Sequence, residues 1–192
     1  MRKYLRLLLM GLMALCFSLP CLGRVEAATI ALLPLINNVE GQENAGTVYY
    51  QESMEVINEQ EGLLIVENDR LLKAIEAARI GNQVPTSQAM AKICRDGNVD
   101  IVIAMQLDTL KDAPFRSGSE DTLELFIKGV AVSYNRLNGK TYRHKIYVDD
   151  KVPEVLGSRW NLLLEEWGRQ VRLEICNSLG IKKALRKPRI GF

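Results

Sequence analysis

Apolar and polar positions alternate along this chain with two different periods, and the change between them marks its elements. Thr29 to Ile36 is almost unbroken in aliphatic and β-branched residues, the composition of a strand covered on both faces. A polar stretch, Asn37 to Asn44, predicts a loop. From Ala45 to Gln60, Val48, Met54, Val56 and Ile57 recur at helical spacing, and Glu61-Gly62 closes the helix with a residue suited to a left-handed cap. Leu63 to Val66 predicts a short second strand. Asn68-Asp69 then offers side-chain oxygens to the orphan N–H groups of a helix that lines Leu71, Leu72, Ile75 and Ala78 on one face and ends at Gly81. Thr86 or Ser87 caps a third helix through Arg95, with Ala89, Met90 and Ile93 inward.

The period then shifts to two. "DIVIAMQLDTL", Asp100 to Leu110, is the strongest strand pattern in the chain, and Lys111 to Asp121, with Pro114 and Gly118, predicts a loop. Two alternating runs flank Asn138-Gly139, the dipeptide favoured in two-residue hairpin turns. Pairing Leu137 with Lys140 puts Leu125, Ile127, Gly129, Ala131, Ile146 and Val148 on one core-facing side, and sets His144 opposite Ser133. Pro153 to Leu179 reads as a long helix with Trp160, Leu163, Leu164, Trp167, Val171 and Ile175 along one stripe. The order β-α-β-α-α-β-β-β-α predicts an α/β fold of the mixed-sheet kind. The first strands are parallel through helical crossovers, the C-terminal hairpin is antiparallel, and helices pack on the sheet.

Residues 1–27 fall outside this pattern. Arg2, Lys3 and Arg6 precede an apolar run, Leu7 to Leu19, that is short for a membrane span, and Val25-Glu26-Ala27 resembles a cleavage site. The reading is a signal peptide over 1–27, an αβ domain over 28–180 and a basic tail over 181–192, with an uncleaved anchor as the competing reading of the first segment. Neither Cys16 nor Cys21 has the small-residue context of a lipoprotein signal. Without residues 1–27 the chain keeps 21 basic and 22 acidic side chains, so the precursor's excess of basic residues disappears and no nucleic-acid partner is expected. Five of those 21 lie in the tail, as Lys182, Lys183, Arg186, Lys187 and Arg189, leaving a net acidic body. Such a tail is a candidate contact for anionic lipid or cell-wall polymer, at about 1 kcal/mol per basic residue near a charged membrane.

Candidate chemistry is sparse. Ser133 and His144 invite a nucleophile reading, but no third orienting group is evident, so a structural histidine and a non-enzymatic protein are the expectation. Asp149-Asp150 with Glu154 reads as a solvated strand end, and no metal or cofactor is expected. Export permits a bridge between Cys94 and Cys176, although both sit in helical segments where buried thiols are common. Trp160 and Trp167 lie seven residues apart on one stripe; they are core candidates first and partner anchors second.

The element order and local phrasing, an opening strand ending Leu33-Pro34-Leu35, then "GLLIVENDRLLKAI", "NVDIVIAMQL" and a turn at "LNGK", resemble an exported bacterial αβ module. That module is found in the N-terminal domain of the translocation protein TolB, in the curli-secretion protein CsgG and in the LpoB activators of peptidoglycan synthases. The resemblance covers Thr29 to Leu179. It implies a mature domain opening directly on its first strand, with Asn37 and Asn38 turning the chain toward the first helix. Departures limit it: there is no propeller after the domain, no lipoprotein cysteine, and no long alternating insertions of the kind a membrane barrel needs. The resemblance implies an envelope protein that binds other proteins through a sheet edge and the loop at Asn37–Asn44. The alternative is a peripheral or anchored subunit of a secretion or transport assembly.

Overall fold

Ile30 and Ala31, adjacent in sequence, are both fully buried, and each belongs to a different hydrophobic cluster. The strand carrying them therefore runs through the centre of a three-layer arrangement. The computed structural model describes residues 27–117, 120–153 and 159–181. Residues 1–26 of the segment read as a signal peptide over 1–27, Glu154 and the tail residues Lys182, Lys183, Arg186, Lys187 and Arg189 lie outside the described residues.

The elements are β1 (Ala28–Leu32), β2 (Ile36–Asn37), α1 (Asn44–Asn58), β3 (Leu63–Ile65), α2 (Asp69–Ala78), α3 (Ser87–Gly97), β4 (Ile101–Ser117), β5 (Glu120–Asn135), β6 (Lys140–Pro153) and α4 (Arg159–Leu179). They form one mixed six-stranded sheet in the order β3-β1-β4-β5-β6, with β2 also on β4. β1 pairs in parallel with β3 and β4, and β4, β5 and β6 follow one another antiparallel. The mixed α/β class and the parallel-then-antiparallel order read from the sequence are those observed.

Helices α1 and α4 cover one face, where Tyr49, Ile57, Leu163, Trp167, Val171 and Ile175 meet Ile103, Met105, Leu125 and Ile127. Helices α2 and α3 cover part of the other, where Leu71, Met90 and Ile93 meet Ala31, Val102 and Ala104. Each large aliphatic or aromatic side chain fully buried this way contributes about 1.5–3 kcal/mol. The caps follow the local chemistry. Asn68 Oδ1 accepts from Leu71 N at 2.8 Å and Thr86 Oγ1 from Ala89 N at 3.3 Å, so Thr86, not Ser87, caps α3.

Several boundaries differ from the expectation. The first apolar run is two strands, not one: Leu33 N still reaches Ile103 O at 2.9 Å, Pro34 has no N–H to give, and pairing with β4 resumes at Ile36. Asn37 thus ends a strand instead of opening a loop. Helix α2 stops at Ala78, where Arg79 takes the left-handed cap (φ 48), and its buried face uses Leu71 and Ala74 while Leu72 is exposed. The largest difference is Lys111 to Asp121. β4 continues to Ser117 and pairs with β5 from Glu120 onward, so most of that polar stretch is strand.

The β5–β6 turn also differs. Asn135 pairs with Lys140, leaving a four-residue turn, Arg136 to Gly139. Asn135 Oδ1 accepts from Leu137 N and Asn138 Oδ1 from Lys140 N, both at 2.9 Å, and these local bonds stabilise the wider turn. The register moves by two residues, which preserves the core-facing row while changing every partner. His144 therefore faces Ala131, and Ser133 faces Tyr142.

Candidate functional site

The two edges of the sheet are unequal. β3 spans three residues, whereas β6 spans 14 and, among the described residues, pairs only with β5. In an antiparallel ladder, successive residues of an edge strand turn their backbone groups alternately inward and outward. The neighbouring bonds identify which do which. Ile103 O and Leu107 O are taken by Leu33 N and Asn38 N on the β1/β2 side, so the odd residues of this part of β4 face away from β5. Their partners Ser133 and Gly129 then face β6, and bond Tyr142 and Ile146. The even residues of β6 are bound inward, and Arg143, Lys145, Tyr147 and Asp149 present N–H and C=O outward. Consistently, Lys151 N donates to the side chain of Asp150 at 2.9 Å.

The side chains divide the same way. Ile146 and Val148 are buried under α4, while Arg143, Lys145, Tyr147 and Lys151 are exposed on the opposite face. There Lys111, Lys128 and Lys151 lie over the rings of Phe126, Tyr147 and Phe115, at 5.4, 5.6 and 3.6 Å from the centroids.

The start of β6 is locked to α4 through a buried carboxylate. Glu174 is fully buried; its Oε2 accepts from Tyr142 Oη at 2.8 Å, and His144 Nδ1 lies 3.0 Å from Oε1. Burial, and then the bond to Glu174, hold the Tyr142 hydroxyl well above the ordinary phenol range, so it stays a donor. The sequence pattern missed this cluster. Its signal was a carboxylate beside Val171 and Ile175 on the apolar stripe, and two polar rings on the core-facing row of β6. Ser133 has no part in it.

Asn37 and Asn38 are exposed, and both work within the fold: Asn37 Nδ2 donates to Gln42 O at 2.9 Å, and Asn38 Nδ2 to Asp108 Oδ1 at 2.9 Å. Trp167, a candidate anchor, is wholly buried and donates from Nε1 to Ala45 O at 3.0 Å, so it fastens α4 to α1 and has no face for a partner. The side chain of Trp160 lies outside the described residues. The Cys94–Cys176 bridge does not form, because Cys94 packs with α3 on one face of the sheet and Cys176 on α4 against the other. Burial pushes the Cys94 thiol up to about 11, which makes it a poor nucleophile. Asp149 and Asp150 are exposed near the end of β6, and Asp149 accepts from Tyr147 Oη at 3.1 Å. Among the described residues no three His, Cys, Asp or Glu side chains gather as a metal site, and no helix is long and apolar enough to cross a membrane.

No family model matches this sequence, and no curated protein matches it either. Among solved structures, it is similar to the hypothetical protein CT253 from Chlamydia trachomatis, at 10% identity and TM-score 0.49, over 78% of this chain and 98% of that one. It is also similar to the lipoprotein GNA1162 from Neisseria meningitidis, at 11% identity and TM-score 0.40, over 75% of this chain and 97% of the other. A further similarity is to the C-terminal domain of LpoB from Escherichia coli, at 14% identity and TM-score 0.38, over 70% and 92% of the two chains.

Proposed function

We propose that this is an exported, non-enzymatic protein of the bacterial cell envelope, which binds another protein by receiving an extended segment of it along β6. The observation that carries the reading is the outer edge of that 14-residue strand, which no other described strand pairs, with outward backbone groups at Arg143, Lys145, Tyr147 and Asp149. A partner strand gains about 0.5–1.5 kcal/mol net for each backbone hydrogen bond it makes there. The leader-like N-terminus and an element order that resembles, from the sequence, TolB-type, CsgG and LpoB modules support export and the envelope. The Glu174 cluster has a structural part in this reading: it holds the start of β6 against α4, so the edge is rigid before a partner arrives and less ordering entropy opposes docking.

A proline at position 145 removes one outward donor while sparing the β5–β6 ladder. In affinity capture from envelope extracts, the unaltered chain and Lys145→Arg, which keeps both the N–H and the charge, should return the same partner, and Lys145→Pro, folded by circular dichroism, should lose it. Undiminished capture by Lys145→Pro would contradict docking at this edge.

A further inference from the structure

On β6 the residues that open their backbone outward are the same ones whose side chains stand on the sheet face left bare by α2 and α3. A strand added at this edge therefore places alternate side chains beside Arg143, Lys145 and Tyr147, and the intervening ones beside Ile146 and Val148. From Arg143 to Tyr147 the charge along that row is one-sided. Arg143 and Lys145 are exposed and, among the described residues, have no ion-pair partner, whereas Lys151 already lies 3.7 Å from Glu124. Lys128, over the Tyr147 ring, adds a cation from the next strand. This cationic row stands on a body that is net acidic.

Resting on the reading of β6 as the docking edge, we propose that the segment it receives is an acidic strand. Its carboxylates alternate with aliphatic residues, the carboxylates lying beside Arg143 and Lys145 and the aliphatics extending the Ile146–Val148 row beneath α4. A second copy of β6 is a poor occupant, because it brings its own basic row against this one, and cations on an edge discourage such pairing. Asp149 sets the register: the strand carries no acid opposite it, so the carboxylates fall toward the Lys140 end of β6.

The test is fluorescence anisotropy of short capped peptides on the full chain. The first alternates glutamate with valine, the second alternates lysine with valine, the third alternates threonine with valine, and the fourth has the first peptide's composition with its glutamates in one block. The alternating glutamate peptide should bind about tenfold or more tightly than its lysine counterpart, and the preference should invert for Arg143→Glu/Lys145→Glu. The blocked peptide should bind more weakly than the alternating one, and the glutamate advantage should shrink with added salt. The inversion serves as the internal control for folding of the double variant. If the threonine or lysine peptide binds as well as the glutamate peptide, and binding still fails on Lys145→Pro, the acidic preference is wrong and the edge reading survives. If the glutamate peptide binds Lys145→Pro as tightly as the unaltered chain, its charge is held without the edge, and both readings fall.

Discussion

Asp100 joins three parts of the sheet through one side chain. Its Oδ2 accepts from Thr29 N at 2.9 Å and Thr29 Oγ1 at 2.8 Å, and its Oδ1 accepts from Arg136 Nη2 at 2.7 Å. The starts of β1 and β4 and the β5–β6 turn are thereby fixed together. Burial tends to raise this carboxyl, but the bonds from Arg136 and Thr29 outweigh it and hold the group below the usual carboxylate range. A depressed folded value means the stabilisation is fully present above about pH 4, the ordinary carboxylate value, and is lost as pH falls through the lower folded value. Asp100→Asn should cost about 1–3 kcal/mol at neutral pH. It should also flatten the acid limb of melting temperature against pH, and calorimetry showing an unchanged acid limb would remove Asp100 from this role.

At the scale of elements, the long strands show what a local pattern can and cannot specify. The core-facing row of β5 and β6 was legible because alternation survives a two-residue shift of register, whereas the partner of His144 was not, since it depends on the turn length. Lys111 to Phe115 looked like a loop for its charges and Pro114. Yet the register irregularity between Leu107 and Thr109 reverses which β4 residues face β5, so Pro114 lies on the outer side, where no N–H is needed. Lys111 is tolerated because one face of the extended hairpin is bare, a tertiary fact absent from any window of sequence. Gly129 marks the same irregularity: a Cβ there would stand 2.4 Å from Gln106 O, a backbone atom with little room to yield. Gly129→Ala should therefore destabilise by about 1–3 kcal/mol in urea unfolding. A loss below about 0.5 kcal/mol, the size of an ordinary surface change, would show that the bulge relaxes freely.

For the molecule as a whole, the helices decide where a partner can go. α1 and α4 close one face, α2 and α3 close half of the other, and β3 is too short to offer a long ladder. The one extended backbone left open among the described residues is β6, and it is held in place by Tyr142, His144 and Glu174 without being covered. Residue-resolved amide hydrogen exchange across β6 tests this most directly. The account predicts alternation in the protein alone, with Arg143, Lys145 and Tyr147 exchanging fast and His144, Ile146 and Val148 slowly, and slow exchange at all six once the partner is bound. Equal protection of both rows in the unbound protein would mean the edge is already occupied, and would contradict the account.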